Sequence, residues 1–398
     1  MNDILKNKVI IWGADDYNTL AMIRQIGQGT TNVFYLVNGH VRYAAFSKYC
    51  TKYKEVKNLN EALTYLKENF NDEQVKPILL TSGDGVVTFM DKNKAELVDK
   101  YFVPGTDVQG DLEKYIDKYT MTKLAEEIGI DVPKSRFVQW DTNIDDIVCP
   151  CFIKPSHQKP GHYNEFKFKY CETLDDLKHT LKYVRHDSVF IVQEFIKKEK
   201  DLLVYGCRTP QGKTIIAGGL VTDRFAVGNG SSYGYVDSEV HPAIDTEKIK
   251  KFLDIIGYVG LFSFEYGLCC NKAYFFETNL RNDGTSHYFF MAGANIPLTY
   301  ALSCADEDID KVSHKVTTPC YYMDEIFDIA NVIQGNVSRK QWKKQKSDAK
   351  AFKFMFEGDM TPYEIARKKR YIRILRDILI KKYRLYLMIV LDKIGLRK

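Results

Sequence analysis

The sequence predicts an α/β chain, α+β in part, with a parallel-sheet unit first, a mixed region of antiparallel strands after it, and a basic helical end. Three observations carry this. Short apolar runs alternate with helical patterns through the opening stretch, which is the signature of strand-helix-strand units. Two period-2 runs late in the chain, 261–266 and 275–281, are close enough to pair as a hairpin. From residue 339 onward 19 Lys and Arg stand against 6 Asp and Glu, a net of +13, so residues 1–338 carry −8 beneath an overall +5.

Taken in order, Lys8-Val9-Ile10-Ile11-Trp12-Gly13 reads as a buried strand and turn, followed by a helix through Leu20, Met22, Ile23 and Ile26. Val33 to Val37 and Pro77 to Thr81 read as further strands. Gly13 with Ala14-Asp15-Asp16 lacks the later glycines of a dinucleotide fingerprint, so it is read as a turn that touches substrate. Ser82-Gly83-Asp84 follows a strand, where open α/β sheets bind ligands. Asp117-Lys118 opens a helix from Tyr119 to Ile128 that Gly129 stops. Cys151-Phe152-Ile153-Lys154-Pro155 is a short strand with a lysine at its mouth, running into Ser156 to His162. Val189 to Ile196 is a buried strand that ends polar, then aromatic, and Asp201 follows it.

The late hairpin holds the chemistry. Alternation puts Ser263 and Glu265 on one face of the first strand, and Glu277 and Asn279 on one face of the second, with Phe276 and Thr278 pointing away. An odd-length connection sets Glu265 opposite Glu277. At ~4 Å and an effective dielectric of ~20 their repulsion is about 4 kcal/mol, so the pair calls for a cation, a shared proton or a splayed geometry. Two carboxylates and an Asn carbonyl suit a hard divalent ion such as Mg²⁺, with Mn²⁺ as a substitute. A solvated acidic hairpin is the plain alternative.

The ordered set from Lys118 to Arg281 resembles the ATP-grasp superfamily, and within it the carboxylate-amine ligases of the D-aspartate ligase and cell-surface polysaccharide type. The resemblance implies a Rossmann-like substrate-binding unit at 1–112, a small ATP-grasp subdomain at 113–190, a large one with the metal site at 191–338, and a basic helical extension at 339–398. It implies ATP on Lys118 and Lys154, an adenine hinge at Gln193, Glu194, Phe195 and Ile196, and ribose hydroxyls on Asp201, with Glu199 as a competitor. Glu265, Glu277 and Asn279 match magnesium ligands, and Arg281 with the following Asn282-Asp283-Gly284-Thr285-Ser286 matches the segment that faces the substrate carboxylate and its acyl phosphate. Two departures stand out. The phosphate-covering loop at 156–162 has only Ser156 and Gly161 as small residues, and Ser263 stands where some relatives place an arginine, a charge left to Arg281 or Arg224. Lys154, Arg281 and Arg224 are therefore the catalytic candidates, and 156–162 and Gly228 to Gly234 the candidate lids, each also readable as a surface turn.

The implied reaction is attack of a carboxylate on the γ-phosphate of ATP, then displacement of phosphate by an amine. The implied partners are small carboxylate and amine substrates, and a homodimer is left open. Another ATP-grasp chemistry, carboxylation or phosphorylation, and a non-catalytic membrane-binding module remain alternatives. A composition of 45% hydrophobic and 27% charged residues is ordinary for a soluble enzyme. The acidic body argues against nucleic acid. The opening residues lack a signal-peptide pattern, so a cytoplasmic location is expected. The helical pattern from Thr361, with Ile365, Ile372 and Leu375 among basic residues and the apolar run Leu385 to Leu391, suits either an interfacial helix at the inner face of a membrane or a helix docked on protein. Nine cysteines without a CxxC pair are expected as thiols. Cys149-Pro150-Cys151 and Cys269-Cys270 are too close for an ordinary disulfide or a usual zinc set.

Overall fold

The computed structural model describes residues 3–156, 166, 168–226 and 230–376. Its first sheet is parallel, in the order β3-β2-β1-β4, from β1 (Val9–Ala14), β2 (Val33–Asn38), β3 (Lys52–Val56) and β4 (Ile78–Thr81). Both faces of β1 are covered, which is why its run is continuously apolar. Val9 and Ile11 enter one core beside helix α1 (Tyr17–Ile26), and Ile10 and Trp12 enter another beneath α2 (Leu59–Phe70) and α3 (Asp84–Lys92). The first of these cores continues into Tyr205, Leu261 and Tyr288, so α1 joins the parallel unit to the large sheet.

A small antiparallel sheet, in the order β5-β8-β6-β7, is made of β5 (Ser135–Val138), β6 (Cys151–Pro155), β7 (Lys169–Cys171) and β8 (Phe190–Glu194). One face carries the capped helix Leu174–Lys182, packed through Leu177 and Leu181. The large sheet runs β13-β12-β9-β10-β11-β14-β15, from β9 (Lys200–Arg208), β10 (Thr214–Phe225), β11 (Ser231–Asp237), β12 (Gly260–Cys269), β13 (Lys272–Asn279), β14 (Cys320–Met323) and β15 (Ala351–Phe352). All its pairs are antiparallel except β14 with β15. Helices Lys118–Glu127 and Thr246–Ile255 share a core with its β12–β13 edge.

The basic stretch from 339 begins inside this body. β15 pairs with β14, and Arg24 of α1, fully buried, donates Nε to Asp359 Oδ2 at 2.8 Å and Nη1 to the Phe354 carbonyl at 2.8 Å. Residues 361–376 are helical, with Ile372 and Leu375 exposed. The apolar run Leu385 to Leu391 lies outside the described residues, and no helix among the described residues is long and apolar enough to cross a membrane.

Candidate active site

β12 and β13 do place Glu265 opposite Glu277, and Ser263 opposite Asn279. The connection is an even, two-residue turn at Cys270 and Asn271, both at positive φ (51° and 60°), with Cys269 paired to Lys272. Such a turn alone would set Phe276 across from Glu265 and send Glu277 to the far face. A one-residue bulge between Glu265 and Tyr266 admits Phe276 as an extra residue and restores the acidic pairing. The bulge also turns Phe276 into the cleft beside Glu277, contrary to strict alternation. Thr278 stays buried, its hydroxyl donating to the Ser263 carbonyl at 2.8 Å.

Burial, then the charges of Glu277 and Asp283, push the Glu265 carboxyl up to about 8. Asn279 Nδ2 donates to Glu265 Oε1 at 2.9 Å, while its carbonyl oxygen accepts from Arg281 Nη2 at 2.8 Å. Facing carboxylates, one of them pushed toward holding a proton at neutral pH, fit a hard divalent cation. Asn279 fits that set once its amide turns over.

Two ammonium groups look at this pair. Lys118, at the start of its helix behind the Asp117 cap, brings Nζ to 3.4 Å from Glu277 Oε2. Lys154 on β6 donates to Gln193 Oε1 of the neighbouring β8 at 3.1 Å, and Gln193 Nε2 donates on to Ser135 Oγ at 3.0 Å. Burial and the like charge of Lys118 lower the Lys154 ammonium from 10.5 to about 8. The Gln193 side chain therefore positions a lysine, a use beyond the main-chain hinge role expected of it.

Beside them a cavity of about 410 Å³ is lined by Phe152, Lys154, the segment Gln193 to Lys198, and Phe276. The rings of Phe152 and Phe195 meet edge to face at 5.4 Å. Asp201 lies in the adjoining cleft with its carboxylate on Lys198 Nζ at 2.6 Å, whereas Glu199 turns away to accept from the Cys270 N–H at 2.9 Å.

This cleft, of about 480 Å³, is shared between the parallel unit and the large sheet. The parallel unit supplies Asp16, Tyr17, Asn18 and Ser82; Gly13 lies so close to Ser82 that a Cβ there would sit 2.8 Å from its hydroxyl oxygen. Arg281 bridges the units, donating Nε to Asp84 Oδ1 at 2.9 Å.

Family models were searched and none matches the chain. D-aspartate ligase of Enterococcus faecium (strain Aus0004) is 23% identical over 254 residues, which are 59% of this chain and 60% of that relative's length. Among solved structures, L-amino acid ligase from Bacillus licheniformis superposes with a TM-score of 0.60 at 12% identity, covering 79% of each chain. N5-carboxyaminoimidazole synthetase from Staphylococcus aureus, complexed with ADP, superposes with a TM-score of 0.64 at 14% identity over 85% of this chain and 87% of its own. The chain has the ATP-grasp fold.

Within this ATP-grasp fold one candidate is corrected. Arg224 is held away from the cleft by Asp328, to which it donates Nε at 2.9 Å and Nη2 at 2.5 Å, and by Gln345 Oε1 at 2.9 Å. It lines a separate cavity with Lys200, Tyr233 and Gln345, and ties β10 to the helix Arg339–Asp348. Of the loop at 156–162 only Ser156 is described; the rest, like 227–229, lies outside the described residues, while Ser231 to Gly234 are strand rather than lid.

Lys353, absent from the sequence reading, completes the cleft beside Asp283, which follows Arg281 in the segment expected there. Lys353, buried at the end of β15, donates to Asp324 Oδ2 at 2.7 Å and sits 4.4 Å from the Tyr17 ring centre. Asp283 accepts from Ser263 Oγ at 2.9 Å behind Asn279. The alternation Ala351-Phe352-Lys353-Phe354 was the available signal for a strand there.

Proposed function

We propose that this chain is an ATP-dependent carboxylate-amine ligase that forms an amide through an acyl phosphate and serves cell-envelope or capsular polysaccharide synthesis. The observation that carries the reading is the opposition of Glu265 and Glu277 across one register of the sheet, with the Lys118 and Lys154 ammonium groups facing them. The likeness to a D-aspartate ligase supports the substrate classes.

Phe276, Phe195 and Ile196 hold the adenine, and Asp201 takes the ribose hydroxyls. Lys118 and Lys154 follow the phosphate oxygens as compact charges. Glu265, Glu277 and Asn279 would hold a divalent cation, which would neutralise charge on the transferring phosphoryl group. Arg281, fixed by Asp84 and Asn279, stands ready for the carboxylate and for the oxyanion formed when the amine adds, without reorganising at that moment. Lys353, Tyr17, Asn18 and Ser82 receive the rest of the substrates at the parallel-sheet end. The exposed Tyr371, Ile372 and Leu375, among basic neighbours, support contact with an anionic membrane surface.

The test is phosphate release from ATP with panels of carboxylates and amines. Release that requires both, and an amide product, supports the reading. Release driven by bicarbonate without an amine favours carboxylation instead.

A further inference from the structure

The tip of the acidic hairpin carries a second cluster that this reading does not use. Cys269 ends β12 and Cys270 opens the turn, with their sulfurs 3.8 Å apart, and Glu199 completes a set whose ligand atoms all lie within 4.8 Å of one another. We propose that Glu199, Cys269 and Cys270 form a binding site for a thiophilic dication of the Zn²⁺ class, separate from the hard-cation site at Glu265 and Glu277.

Three features support it. Two thiolates on one tetrahedral Zn²⁺, at about 2.3 Å each, stand about 3.8 Å apart, the spacing observed before any ion is added. The carboxylate is already oriented, because the Cys270 N–H donates to Glu199 Oε1 at 2.9 Å and the Glu199 N–H donates to the Leu268 carbonyl at 2.7 Å. The neighbouring lysines do not compete for it, since Lys198 is engaged with Asp201 and Lys200 with Asp223.

The turn itself gives no reason for this residue choice. Positions at positive φ favour Gly or Asn, and Asn271 obeys that rule while Cys270, at φ 51°, does not. Soft sulfur ligands select Zn²⁺ over Mg²⁺, so the two sites divide the available cations by chemistry. Water fills the fourth position. Such an ion would tie the hairpin tip to the segment that leads from the adenine cavity into β9.

The test is titration of the full chain with Cd²⁺, followed by thiolate-to-metal charge-transfer absorbance, in excess Mg²⁺ so that the acidic pair is occupied. One Cd²⁺ per chain is expected, with Cys269 and Cys270 both protected from alkylation and Zn²⁺ displacing the signal in competition. Cys270→Ser should abolish the absorbance, and Glu199→Gln should weaken binding at least about tenfold, the lower range seen when a metal site loses even an outer partner. Unchanged absorbance in Cys270→Ser would overturn the proposal by placing the ion on other thiols. Equal affinity in Glu199→Gln would overturn it too, since the ion would then need only the adjacent thiols.

Discussion

Replacing Lys154 by Met should make the nucleotide-free protein more stable and unable to bind ATP. The ammonium is half-buried, beside Lys118, and its pKa falls from 10.5 to about 8. At pH 7 that shift corresponds to a cost of about 3 kcal/mol for keeping the charge in the folded state. The variant also loses the hydrogen bond to Gln193, worth about 1 kcal/mol, which leaves a net gain of roughly 2 kcal/mol. The sign in pH follows. Native Lys154 loses its proton near pH 8 and the unfolded chain near 10.5, so between these values wild-type stability rises with pH and the cost shrinks to less than about 1 kcal/mol at pH 10. Urea unfolding of both proteins at pH 7 and pH 10, with ATP binding by calorimetry at pH 7, measures every part of this. A variant less stable than wild type at pH 7, or one whose advantage is the same at both pH values, would refute the argument that the site stores unfavourable charge for a phosphate to relieve.

Three further outcomes are expected. Glu277→Gln should lower divalent-cation affinity by at least roughly 100-fold, the upper range for loss of an outer partner, with circular dichroism unchanged; calorimetric titration checks it. Phe276→Ala should weaken ATP binding by about 1–3 kcal/mol, the usual worth of an aromatic ring against a base, with little effect on the cation site. Lys353→Ala leaves Asp324 buried without its cation and should destabilise the fold by roughly 3–5 kcal/mol, seen as a lowered denaturation midpoint.

The strands β1, β2 and β4 and the helix at Lys118 were legible because burial on both faces, or a cap and a stop, writes itself into neighbouring residues. β3 was not: Lys-Tyr-Lys-Glu-Val is an exposed edge strand, whose charges protect the sheet from pairing and erase the apolar signal. The acidic opposition was legible, but its cause was not, since a two-residue turn and a bulge together reproduce the register that an odd connection would give. That same bulge brought Phe276 into the site unannounced. Arg224 and Lys353 were misjudged or missed for one reason: each finds its partner, Asp328 or Asp324, on a segment distant in sequence, 104 residues on for Arg224 and across the β14–β15 pairing for Lys353, and local pattern carries no trace of such a pairing. The basic end hid its inner half in the same way, because Arg24 and Asp359 are joined only by the fold.

The most direct measurement is a crystal structure with ADP and Mn²⁺, read by the anomalous signal of the metal. The account predicts a peak between the carboxylates of Glu265 and Glu277, at about 2.0–2.3 Å from an oxygen of each, with the diphosphate on Lys118 and Lys154. A peak elsewhere, or a nucleotide bound away from both lysines, would contradict it.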